Sequence, residues 1–98
     1  MATTNNMKIE YDPDKNNWNI KERDLSFEQA MELDWETAQI IEDIRHDYPE
    51  QRFVAIAYLQ DRLHLICFTP ITGGIRVISF RKANPREVKR YEQATIDK

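Results

Sequence analysis

Apolar residues follow two rhythms along this chain. Between residues 25 and 33 they fall at helical spacing, with Phe27, Ala30 and Met31 on one stripe. From residue 52 onward they crowd into runs rich in β-branched and aromatic side chains. The first rhythm predicts a short helix from about Phe27 to Leu33, started by Ser26 and Gln29, which have the spacing of a reciprocal capping box. The second predicts strands over Arg52 to Leu59, Arg62 to Thr69 and Ile75 to Phe80. Their connections are the two-residue Gln60-Asp61, which lacks the glycine that primed hairpin turns favour, and Pro70-Ile71-Thr72-Gly73-Gly74. Thr37 to Asp43 predicts one more strand. The polar, proline-interrupted stretch from Asp43 to Glu50 predicts a loop.

Capping signals place the remaining elements. Lys8 to Tyr11 is a short extended segment, and Asp12-Pro13 then supplies an N-cap and a first-turn proline for a helix from about Pro13 to Arg23. Asn84, Pro85 and Glu87 do the same for a last helix reaching about Gln93. The order is strand, two helices, four strands, helix. Two amphipathic helices ahead of a run of strands predict an α+β two-layer domain, with the helices on one face of a mostly antiparallel sheet.

At 98 residues the chain makes one domain, expected over residues 7–98, after a short disordered lead at residues 1–6. No apolar run approaches membrane-spanning length and no secretory signal opens the sequence, which predicts a cytoplasmic protein with no membrane partner. The single cysteine, Cys67, sits in an apolar run and reads as a core side chain. His46 and His64 lack spaced Cys or His companions, so no metal site and no cofactor is predicted.

Charge divides along the chain. Glu22 to Glu50 carries ten acids and two bases, while Arg76 to Arg90 carries six bases and one acid, in a protein of net charge -3. That basic segment predicts a surface for phosphates or for an acidic partner. Strand alternation puts Val77, Ser79 and Arg81 on one face, and Arg76 with Ile78 and Phe80 on the other. Ser79, Arg81 and the Asn84 end of the last helix then form a candidate phosphate site. Spacing alone leaves open the alternative that these arginines are solvated partners of the acidic segment. A metal-free ribonuclease needs a group to stabilise charge on the phosphorane, a task that suits the planar fork of Arg62, Arg76 or Arg81. For proton transfer the candidates are Glu87, Tyr91, His46 and His64, of which His64 in a half-buried strand reads first as a packed residue. Basic residues do not interleave with aromatics as they do in single-strand binding platforms, which counts against a plain nucleic-acid-binding domain.

Several blocks together carry a resemblance. They are Tyr11-Asp12-Pro13 with Lys15 and Asn19; Leu25-Ser26-Phe27-Glu28 with Ala30; Arg52, Arg62 and Phe68-Thr69; and Arg76-Val77-Ile78-Ser79 with Arg81, Ala83, Arg86-Glu87 and Tyr91. Over about residues 7 to 93 the chain resembles BrnT, the toxin of BrnT/BrnA type II toxin–antitoxin systems. The resemblance implies a RelE-like fold and a metal-independent endoribonuclease that cleaves RNA and inhibits translation. It also implies a ribbon-helix-helix antitoxin of the BrnA kind, through which alone the pair meets promoter DNA. Arg62, Arg76, Ser79, Arg81, Glu87 and Tyr91 are therefore expected to be catalytic, and Lys15, Lys82, Asn84 and Arg86 to bind RNA phosphate. Where the family has Lys-His-Gly, this chain has Glu22-Arg23-Asp24. That departure favours, as the alternative, a binding module for antitoxin or nucleic acid with lost or altered activity.

Overall fold

The computed structural model describes residues 7–96; the expected lead at 1–6 lies outside the described residues. Five strands form one mixed sheet in the order β1-β5-β4-β3-β2: β1 (Lys8–Glu10), β2 (Gln39–Glu42), β3 (Phe53–Leu59), β4 (Arg62–Ile71) and β5 (Gly74–Lys82). All pairings are antiparallel except β1 with β5, where Ile9 faces Ile75. A side chain at Gly74 would collide with the backbone of Lys8, so glycine there is what lets β1 pair alongside β5. Helix α1 (Pro13–Arg23) and a 3-10 helix (Phe27–Glu32) separate β1 from β2, and α2 (Pro85–Ile96) ends the described chain. The α+β class and the element order are those the sequence predicts.

The layering differs from the expected two layers, because both faces of the sheet are covered. Ala55, Ala57 and Leu59 of β3 join Ile66, Phe68, Ile75, Val77 and Phe80 under the 3-10 segment, whose Leu25, Phe27, Ala30 and Leu33 fill that face. Ile56 and Leu63 face the other way, and pack with Ala83 and Tyr91 beside α2. The cause lies in the uninterrupted apolar run of β3, which alternation splits between two faces that must both leave water.

Helix α1 is not amphipathic in the expected sense. Its buried residues are Asn16 and Asn19, while Trp18 and Ile20 stay exposed. Asn16 accepts from the Phe27 N–H at 2.7 Å, and Asn19 donates to the carbonyls of Leu25 and Phe80, each at 3.0 Å. Beyond Arg76 the strand β5 has outrun β1, so its outer edge has no strand partner. Asn19 and Arg23 of α1 supply donors to that edge instead.

A β-bulge overturns the expected faces of β5. Cys67 pairs with Ser79 but Phe68 pairs with Val77, which leaves Ile78 as an extra residue. Ile75, Val77 and Phe80 therefore share the first core, and Arg76, Ser79 and Arg81 all lie on the opposite side. The strand β4 also runs on through Pro70 and Ile71, residues expected in the turn, and pairs them with Ile75 and Gly74. There β4 has already outrun β3, whose Phe53 pairs with Phe68, so proline meets a one-sided ladder.

Candidate active site

A cleft of about 930 Å³ opens where three segments meet: the end of α1 (Lys21 to Asp24), the β3–β4 turn (Leu59 to Arg62), and the paired ends of β4 and β5 carrying His64, Arg81 and Lys82. Both described non-glycine residues with positive φ stand on its rim, Asp24 at +55° and Gln60 at +59°. Asp24 closes α1 in a left-handed conformation that the Asx side chains tolerate best after glycine. Gln60 occupies the first central position of the hairpin, where primed turns need positive φ, so the turn forms at a cost in strain without glycine.

The cleft is rich in cations left without carboxylate partners. Among the described residues, no ion pair forms at Lys21, Arg23, Arg62 or Lys82, although Glu22, Asp24 and Asp61 are nearby on the same rim. Three arginines outside the cleft are paired: Arg45 with Asp43 at 2.8 Å, Arg52 with Glu50 at 3.0 Å and Arg76 with Glu10 at 3.3 Å. Arg81 does both jobs. It lines the cleft and makes two 2.9 Å hydrogen bonds to the carboxylate of Glu87 across the start of α2.

Glu87 has further ties, accepting from the Asn84 N–H while Asn84 Oδ1 accepts from the Glu87 N–H at 2.8 Å. This reciprocal capping box fixes the first turn of α2 and, through Glu87, the guanidinium plane of Arg81. The hydrogen bonds from Arg81, joined by the one from Asn84, hold the Glu87 carboxyl below its ordinary range. In turn, Glu87 raises the pKa of Arg81.

His64 is only 4% exposed, yet it contributes to the cleft wall. Its Nδ1 lies 2.9 Å from the Arg62 carbonyl, which can only accept, so Nδ1 carries the proton and Nε2 the lone pair. Burial is the main cause that lowers its pKa; the positive charges of Arg62 and Lys82 act in the same direction, and the bond to the Arg62 carbonyl opposes them. The ring also packs against Phe80 at 5.6 Å.

The sequence candidates thus separate in space. Arg62, Arg81 and Lys82 meet in the cleft, with Asn84 and Glu87 tied to Arg81 behind it. Ser79 and Lys15 line a smaller hollow on the α1 side. Arg76 lies beside β1 with Glu10, and Arg86 is exposed in the first turn of α2. Tyr91 is buried against Tyr58 and donates its hydroxyl proton to the Thr37 carbonyl at 2.9 Å. His46 stands in the 43–52 loop beside Tyr48. Lys21 and Arg23 are cleft residues that no motif marks, and the tertiary position of the α1 end is what makes them so. No three His, Cys, Asp or Glu side chains among the described residues converge as a metal-ion site.

A mixed sheet covered on both faces, with a cleft at one end that gathers Lys21, Arg23, Arg62, Arg81 and Lys82, defines an α+β protein. The chain belongs to the BrnT family: the family model, described as ribonuclease toxin, BrnT, of type II toxin-antitoxin system, matches residues 11–87. It is accordingly a ribonuclease toxin whose system includes an antitoxin partner. No curated protein and no solved structure matches it.

Proposed function

We propose that RNA is bound and cut in the cleft between α1, the β3–β4 turn and the β4–β5 ends, without a metal ion. The observation that carries this reading is the convergence of Lys21, Arg23, Arg62, Arg81 and Lys82 on one cleft, four of them without an ion pair among the described residues, against the paired Arg45, Arg52 and Arg76. A buried or paired arginine stabilises the protein, whereas an unpaired cluster costs folding energy through mutual repulsion and is best offset by a bound anion. Arg62, Arg81 and Lys82 hold the non-bridging oxygens of the scissile phosphate, Arg81 through the Nε–Nη2 edge that its bonds to Glu87 leave free, as charge grows in the transition state. His64 Nε2 takes the proton of the ribose 2′-hydroxyl. The 2′ oxygen then bonds to phosphorus, the bond from phosphorus to the 5′ oxygen breaks, and that oxygen takes a proton from water in the open cleft, the hydroxide left behind being neutralised by the proton that His64 releases. The products are a 2′,3′-cyclic phosphate and a 5′-hydroxyl. Glu87 and Asn84 act as positioning residues for Arg81, and Tyr91 ties α2 to the chain at Thr37. Lys15, Ser79, Arg76 and Arg86 extend the surface along which the strand runs.

The same reading takes the fold as RelE-like, the site of action as the cytoplasm, the result of cleavage as arrested translation, and the partner as a ribbon-helix-helix antitoxin of the BrnA kind that covers the cleft. Where the family has Lys-His-Gly, Asp24 keeps the left-handed cap that glycine would make, and Arg23 lines the cleft in place of the histidine. The departure therefore alters substrate choice more than it removes catalysis.

The test is cleavage of single-stranded RNA by purified protein in a strong chelator. Arg81→Ala and Lys82→Ala should each lower the rate about 100-fold, with melting temperatures close to the parent's. Variants that fold and cut at the parental rate would remove the cleft from the reaction, and loss of cleavage on chelation would remove the metal-free mechanism.

A further inference from the structure

Trp18 stands on the outer side of α1, 52% exposed. One side of its indole is taken by Arg23, whose guanidinium carbon lies 4.9 Å from the ring centroid. Arg23 is itself pinned, donating to Asn19 Oδ1 at 3.0 Å and to the Phe80 carbonyl at 3.2 Å. Around this pair opens a hollow of about 250 Å³, lined by Lys15, Trp18, Asn19, Arg23, Phe27 and Ser79 among others. Arg23 also lines the cleft, so one residue borders both cavities. Within α1 an aromatic residue does stand between basic ones, Trp18 between Lys15 and Arg23, contrary to the expectation of no such interleaving.

We propose that this hollow is a base-stacking subsite, in which Trp18 holds the unpaired base of the nucleotide next to the phosphate bound in the cleft. The inference rests on the reading of the cleft as the RNA site. An exposed indole flanked by two cations is the arrangement on which single-stranded nucleic acid stacks, since every base has an aromatic face and every linkage a negative charge. A double helix does not fit the arrangement, because its bases are already stacked. The subsite therefore restricts the substrate to unpaired RNA and fixes the register of the strand, with Lys15 meeting the phosphate on the far side of the stacked base. Trp35, the other tryptophan, is occupied elsewhere: it donates Nε1–H to the Ala30 carbonyl and packs edge-on against Phe68. Fluorescence lost on ligand binding thus reports Trp18.

The experiment uses the full chain and a short all-2′-deoxy oligonucleotide, which lacks the hydroxyl that cleavage requires, together with the same strand carrying abasic positions. The parent's fluorescence should be quenched by the intact strand and much less by the abasic one. Trp18→Ala should weaken binding about tenfold or more, and Trp18→Phe should recover most of it. Equal quenching by both strands, or Trp18→Ala binding as tightly as the parent, would overturn the subsite and leave the hollow as a contact for a protein. Should Trp18→Ala fail to fold, the comparison of intact and abasic strands on the parent decides alone. RNA cleavage by the parent is scored separately: base-dependent quenching without cleavage sinks the cleft mechanism and keeps the stacking site, while cleavage with base-independent quenching does the reverse.

Discussion

Two ends of the sheet handle arginine in opposite ways. In the 43–52 loop, Arg45 grips the buried carboxylate of Asp43, Tyr48 donates to that carboxylate at 3.3 Å, and Arg52 lies over the Tyr48 ring while pairing with Glu50. Both arginines there have carboxylate partners, and the hydrogen bonds from Arg45 hold the Asp43 carboxyl well below the usual carboxylate range. At the cleft, acids are close by, yet Lys21, Arg23, Arg62 and Lys82 form no ion pair among the described residues. The same residue type closes a loop with a carboxylate in one place and lines an open cleft in the other. What distinguishes the two is whether a carboxylate is held within reach of the guanidinium, which composition cannot reveal.

The sharpest way to break this contrast is charge reversal. Arg62→Glu combined with Lys82→Glu should reduce RNA cleavage by about 100-fold or more, whereas Arg45→Gln or Arg52→Gln should leave the rate within about twofold, since exposed paired arginines act locally. Equal losses in both sets would mean that general positive charge, and not the cleft, drives the reaction.

A smaller effect should appear in acid, in two separate windows. His64 has a folded pKa below its unfolded value of about 6.5, so the unfolded chain binds the proton first. Stability should fall as pH drops from about 6.5 and level off below the folded pKa. Asp43 behaves as a depressed carboxylate: its contribution is complete above the unfolded value of about 3.9 and is lost as pH falls through the lower folded pKa. Melting temperatures measured across pH should show His64→Gln flattening the first decline and Arg45→Gln the second. If His64→Gln leaves the upper window unchanged, burial is not what keeps the imidazole neutral.

The least effect expected is on salt dependence. Removing one phosphate contact with Lys82→Ala should lower the slope of log affinity for single-stranded RNA against log salt by about 0.7, and Arg45→Gln should not change it. Titrations at several salt concentrations would show whether Lys82 touches phosphate at all.

Much of the framework was legible because it rests on local rules. Asp12-Pro13, Ser26 with Gln29, and Asn84 with Glu87 each start the helix they predict, because a cap is satisfied within four residues of itself. The apolar runs of β3, β4 and β5 likewise form strands close to the expected bounds. What sequence did not disclose depends on non-local geometry. The Ile78 bulge exists only in the pairing of β5 with β4, and it moves Arg76, Ser79 and Arg81 to one side. The polar inner face of α1 is intelligible only once the open edge of β5 supplies carbonyls for Asn19 to meet. Arg62, Arg81 and Lys82 could be singled out from residue type and position. Their joining with Lys21, Arg23 and His64 required the hairpin, the strand end and the helix end to arrive at one place.

The side chains of α1 that meet β5 also leave the two borders of the sheet unlike. β1 is only three residues long and carries Lys8 and Glu10, and past its end the amide of Asn19 and the guanidinium of Arg23 both donate to the Phe80 carbonyl, an acceptor that a guest strand would need. The opposite border, β2, exposes Ile40 and Ile41. A guest strand would thus meet charge and a spent acceptor on one side and apolar side chains on the other, which makes β2 the more receptive of the two.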